Sequence, residues 1–178
     1  MYYIWRQDWN FYIESDWYLP DEWNRYSLFM CEKIPVDLPP VTFEIKETII
    51  DIPNVFVNFG EFIIGDIKVQ SIFQKFNPER VQFLPVNIID NKGNILTEEY
   101  KVINVLNKYA NALDTDKSIL RYFDGGIVGA DKIVLKQGLP NDLDCFKFEE
   151  FLVPLIVSDK FIIEVNSMQI KGVKFSSI

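Results

Sequence analysis

The chain has 178 residues, of which 48% are hydrophobic, 25% charged and 15% aromatic, and its formal net charge is −8. These proportions fit a globular protein of one ordinary domain or two small ones, long enough to bury roughly 70% of its unfolded surface. They exclude wholesale disorder, and the acidic balance without any Lys/Arg stripe disfavours nucleic acid as a partner.

All four tryptophans, Trp5, Trp9, Trp17 and Trp23, fall in the opening stretch, interspersed with Asp8, Glu14, Asp16, Asp21 and Glu22. Two readings stay open there. Tryptophan favours strands and can build the core of a small sheet. An irregular mixture of aromatic rings and carboxylates also suits a protein-binding surface, with the rings as anchors and the acids as charge complement. The sequence does not say which rings are core and which are surface.

Short β-type runs follow at 2–5, 41–45, 81–89, 100–106, 118–123, 131–136 and 145–148, rich in Val, Ile, Phe and Tyr and separated by turn signals. Residues 65–76 and 158–170 instead carry helical spacing, each led by a residue able to accept hydrogen bonds from first-turn amides, Asp66 and Ser158. The expected class is α+β: a mainly antiparallel sheet with two capped amphipathic helices, divisible into two small subdomains. Residues 1–85 hold 7 basic and 13 acidic side chains against 11 and 13 in the rest. That asymmetry places a candidate division near Pro85. The two helical segments also resemble each other, because 62–83 and 155–175 both read as apolar run, cap, amphipathic segment and Val-x-Phe. Either an internal duplication or the common pattern of any capped helix leading into a strand accounts for this.

The chemistry is defined mostly by what is missing. With no histidine, imidazole acid/base work, Ser-His-Asp and Cys-His nucleophiles and every His-containing metal site are removed. The run 123–131 has three glycines without P-loop or dinucleotide spacing, and reads as a glycine turn between two strands. Cys31 and Cys145 are too few for a disulfide framework or a Cys-based metal site, so a reducing, cytoplasmic location and no cofactor are expected. The longest charge-free runs, such as 52–60 and 81–89, are far shorter than the roughly 20 residues of a membrane-spanning helix. No basic segment leads an apolar stretch at the N-terminus, so no secretory signal is expected. Paired carboxylates on a Trp platform, as in glycoside hydrolysis, are the best enzymatic alternative, but no spacing specifies a facing pair.

From about residue 55 the chain resembles a family of bacterial immunity proteins from polymorphic toxin systems, typified by a myxobacterial protein and formerly a domain of unknown function. The resemblance rests on "VQFLPVNIID" (81–90), "YKVINVLNKYANALD" (100–114) with "KS" (117–118), then "CFKF" (145–148), "PLIVSDKF" (154–161) and "IKGVKF" (170–175). It implies a small cytoplasmic protein, not an enzyme, that binds and neutralises a cognate toxin encoded nearby. Read as structure, the same positions make Ser158 a helix cap, Gly172 the end of that helix, and Val173 with Phe175 the start of a last strand. The expected layout is therefore an aromatic and acidic segment at 1–50 and a family domain at 51–178. Partner contacts are expected from Trp5, Asp8, Trp9, Asp16, Trp17, Asp21, Glu22 and Trp23. A carbohydrate- or peptide-binding module using the Trp rings is the alternative.

Overall fold

The computed structural model describes residues 1–24, 27, 30–35, 37–46, 51–58 and 62–178. Among them the chain forms β1 (Tyr2–Gln7), β2 (Ser15–Tyr18), β3 (Val41–Ile45), β4 (Ile64–Gly65), α1 (Ile67–Phe76), β5 (Val81–Ile89), β6 (Ile95–Thr97), β7 (Lys101–Val105), β8 (Lys108–Tyr109), β9 (Ile119–Phe123), β10 (Gly126–Lys132), β11 (Cys145–Phe148), β12 (Leu155–Ser158), α2 (Asp159–Ser167) and β13 (Val173–Ser177). One sheet runs β2-β3-β5-β7-β4, with β6 also on β5, and the other runs β13-β1-β12-β11-β8. All pairings are antiparallel except β3 with β5 and β8 with β11. The α+β class follows, and strands 41–45, 81–89 and 145–148 stand at the expected positions. The expected strand at 131–136 does not form as such. The chain leaves β10 at Lys132, and Leu135 makes only an isolated bridge to Leu113.

Alternation explains the layers. Val41, Phe43 and Ile45 of β3 and Leu84, Val86 and Ile88 of β5 point to one face and build a core with Trp23, Phe56 and Tyr100. The opposite faces of both sheets share a second core with the helices: Val69, Ile72 and Phe73 of α1, Phe161 and Val165 of α2, Ile103 and Val105 of β7, and Trp5 of β1. A third core lies beneath the five-stranded sheet, where Ile4, Phe146, Phe148 and Ile156 meet Ala112, Leu113 and Leu143. Gln82 is buried in β5 and pairs through its side-chain amide with both backbone groups of Ile34, fixing the 32–34 segment to the sheet.

Both helices start as their sequences direct. The Asp66 carboxylate accepts from the amides of Lys68 and Val69 at 3.0 Å, and the Ser158 hydroxyl accepts from the Phe161 amide at 3.3 Å. The end of α2 differs from expectation. Gln169 takes the left-handed conformation (φ 55°), with its amide donating to the Asn166 carbonyl and that of Ile170 to Val165. This is a Schellman closure with Gln in the place glycine usually fills. Gly172 lies beyond it, in contact with the Val55 carbonyl, where a Cβ would sit 2.2 Å from the oxygen. It is required for close approach of two backbones and does not end the helix.

The candidate division at Pro85 falls inside β5, which runs through it. Residues 81–85 pair with β7 and residues 86–89 with β3, so Pro85 stands where the strand changes partners. The boundary at residue 50 lies outside the described residues. Trp9–Phe11 form a 3₁₀ turn between β1 and β2. The segment 1–18 supplies one strand to each sheet, since β1 lies between β12 and β13 and β2 pairs with β3.

Candidate partner-binding face

The four tryptophans divide by depth. Trp5 is 7% exposed and is ringed by Phe73, Phe161 and Phe175 at centroid distances of 5.4, 6.1 and 5.8 Å, all edge-on. Trp23 is 5% exposed, and its indole N–H donates to the Pro39 carbonyl at 2.7 Å. These two are interior residues, and a partner could reach them only by opening the core. Trp17 is half-buried on β2, edge-on to Phe62 at 5.6 Å. Trp9 is 46% exposed and packs against Tyr12 at 5.4 Å.

The acids divide as well. Asp8 caps the 3₁₀ turn by accepting from the Asn10 amide at 3.2 Å and lies 4.0 Å from the Lys174 ammonium. Asp16 is held by Lys46, which also reaches Glu44 at 3.7 Å. Asp21 and Glu22 are exposed in a turn ahead of Trp23. The structure thus brings Asp8 beside Trp9 and packs Trp17 and Trp23 against one core, while Trp5 belongs to another.

Sequence reasoning missed an apolar exposure on a hairpin. Strands β9 and β10 form a two-stranded ribbon joined at Asp124-Gly125, both with positive φ (47° and 77°), as a tight hairpin turn requires. The glycine turn is as expected, but the ribbon belongs to neither large sheet. It exposes Ile119, Tyr122 and Val128, with Phe123 75% exposed beside the turn. Several exposed apolar side chains on one short ribbon mark an interaction surface more than a single exposed side chain does. A signal was present in "SILRYFDGGIV": apolar residues occupy both faces of the strands, so one face had to remain outward.

The ribbon walls a cleft of about 850 Å³ whose other sides come from β1, residues 62–63, β7, Lys147 of β11, the segment 151–155 and β13. Its rim includes the exposed Trp9, Val128 and Val153. Nothing in the face suggests covalent chemistry by thiol, since both cysteines are buried, and burial pushes the Cys145 thiol up to about 12 and raises that of Cys31. Among the described residues no three His, Cys, Asp or Glu side chains stand together as a metal site.

The exposed aromatic and apolar side chains of the hairpin and of the Trp9 turn are of the kind found at docking surfaces. The model of the Imm11 immunity protein family matches residues 38–178, and the chain belongs to that family. No curated protein matches the chain. The matched region starts before the 55 expected from the motifs and takes in β3, while β1, the 3₁₀ turn and β2 precede it.

Proposed function

We propose that the protein neutralises a cognate bacterial toxin by binding it one-to-one and covering its active site or functional surface. The observation that carries this reading is membership of the immunity family across residues 38–178. The exposed hairpin side chains Tyr122 and Phe123, with Trp9 as a further ring, suit the anchoring role that aromatic residues play in interfaces. Asp16, Asp21 and Glu22 supply negative charge for steering a basic partner, and Trp17 adds a half-exposed edge beside them. The protein acts in the cytoplasm, and the toxin is encoded close to it.

The test is growth of cells expressing the neighbouring gene with and without this one, coupled to co-purification from the native host. Protection together with a one-to-one complex is the expected result; a harmless neighbour and no co-purifying protein would remove the reading. Within a complex, Tyr122→Ser with Phe123→Ser should weaken binding about tenfold or more at unchanged melting temperature. Replacing Asp16, Asp21 and Glu22 by Asn or Gln should slow association and flatten its salt dependence; unchanged kinetics would take the acids out of the mechanism.

A further inference from the structure

The cleft walled by the β9–β10 ribbon carries a charge opposite to that of the molecule around it. Among the described residues, five of the chain's 18 basic side chains line it, Arg6, Arg121, Lys132, Lys147 and Lys174, against one of its 26 acidic ones, Asp131. The whole chain has a formal charge of −8, so the sign is locally reversed. All of these cations except the half-buried Lys147 are exposed, and a partner reaches them without opening a core. Arg6 and Lys132 are in no ion pair with a described carboxylate, the terminal one included, and Arg6 donates to the neutral Ser176 hydroxyl at 3.3 Å. Lys174 stands 4.0 Å from Asp8, a distance too long for a strong ion pair. Arg121 meets Asp131 at 3.4 Å and lies across Gly129, where a Cβ would come within 2.8 Å of its guanidinium. The missing side chain at Gly129 is what lets Arg121 lie along this wall.

Apolar surface accompanies these cations. Trp9, Val128 and Val153, each about half exposed or more, stand among the lining residues, and Ile4, Ala130 and Ile133 add further apolar lining. Cations beside apolar surface fit a protein segment that carries carboxylates next to apolar side chains. The carboxylates take charge-assisted hydrogen bonds from Arg and Lys, and the apolar side chains leave water against the uncharged lining. A phosphate backbone would gain nothing from that lining and would be repelled by the acidic remainder of the chain. The volume suits a short segment and not a folded domain. Asp16, Asp21 and Glu22 are absent from the lining, so the two signs of charge occupy different surfaces.

We infer that this cleft receives an acidic segment of the cognate toxin with apolar residues beside its carboxylates, which meet Arg6, Arg121, Lys132 and Lys174. The inference rests on the toxin-neutralisation reading and adds to it the place and the chemistry of one contact.

The test uses the full chain and the toxin that co-purifies with it. Two triple charge reversals are compared: Arg6→Glu, Lys132→Glu and Lys174→Glu at the cleft, and Lys68→Glu, Lys92→Glu and Lys136→Glu at exposed positions outside its lining. Both change the net charge equally, so a difference between them isolates the cleft from long-range steering. Toxin affinity, measured by calorimetry, should fall about tenfold or more in the first and less than about threefold in the second. Hydrogen exchange on the complex should protect β10 and β13 here and, in the toxin, a segment with Asp or Glu beside apolar residues. Lys in place of those toxin acids should restore binding to the cleft variant. Equal effects of the two reversals, protection confined to other surfaces, or a complex that nuclease dissolves would each overturn the inference and leave toxin neutralisation standing. If the reversed cleft variant failed to fold, Arg6→Gln, Lys132→Gln and Lys174→Gln would give the same comparison. A harmless neighbouring gene with no co-purifying protein would instead remove the neutralisation reading, and this inference with it.

Discussion

The unit β4–α1–β5 and the unit β12–α2–β13 are built alike, but they draw their middle strand from different places. In each, two strands joined through a helix are held apart by a strand antiparallel to both: β7 in the first unit and β1 in the second. The register agrees as well. Phe83 faces Ile103 and Phe175 faces Trp5, while Ile64 faces Val102 as Ile156 faces Ile4. Amphipathic spacing alone does not dictate strand register, so the likeness goes deeper than two capped helices. The helices then meet, Phe73 and Phe161 at 5.2 Å and Lys75 with Glu164 at 2.7 Å. The difference lies in the source of the middle strand. β7 lies within the family region, and β1 comes from the residues before it. The opening segment is therefore part of the scaffold, with Trp5 filling the place that Ile103 fills in the other unit.

The sharpest way to break this comparison is to remove β1. A chain limited to 38–178 leaves β12 and β13 without their shared neighbour, and it should lose cooperative unfolding and NMR dispersion. A dispersed spectrum with a sharp melt would show β1 to be dispensable. Next, Trp5→Ala should destabilise by about 3–5 kcal/mol and Ile103→Ala by about 2–5, measured by denaturant titration. A negligible loss at Trp5 alone would sink the equivalence. Gly172→Ala follows, because its Cβ would overlap the Val55 carbonyl and the backbone is at φ 92°. We expect a loss of about 3 kcal/mol, which would loosen the second unit and leave the first intact by hydrogen exchange.

A pH experiment sharpens the contrast, since Cys145 on β11 flanks the second unit. Its folded pKa, about 12, lies above the ordinary value of 9.0, so the unfolded state loses its proton first. The stability this thiol contributes is complete below pH 9 and is lost as pH rises towards 12, with a slope of at most about 1.4 kcal/mol per pH unit. Tyr100 and Cys31, also raised by burial, act in the same direction, whereas Lys147 opposes them below its ordinary 10.5. Cys145→Ala should flatten the alkaline decline, and an unchanged profile would assign it elsewhere. The smallest effects belong to the helix ends. Asp66→Ala and Ser158→Ala should each cost about 1 kcal/mol in thermal melts. Asp66 should be the costlier, because it accepts from two amides and from Asn54.

Much of this comparison was legible before any coordinates. Both helices, both caps and the Val-x-Phe strands could be read because their causes are local: amide donors within one turn of a short acceptor, and apolar residues at helical or alternate spacing. The end of α2 was misread because Gly172 looks like a helix terminator in sequence, and its actual requirement comes from Val55, far along the chain. The candidate contact residues differ in depth for the same reason. Trp5 and Trp9 are four positions apart in one stretch, yet one fills a core and the other stands at a rim, since only the strands that pair with β1 decide which face is covered.

By itself, then, the sequence determined the α+β class, the two capped helices, most strands, and, through absences such as histidine, the chemistries that are closed to the chain. Only the tertiary structure decided which aromatic rings are exposed and which are core, and which strand completes the second sheet. The physical reason is range: caps and periodicity are set by neighbours a few residues apart, whereas burial, close backbone approach and charge pairing depend on residues that meet only once the chain has folded.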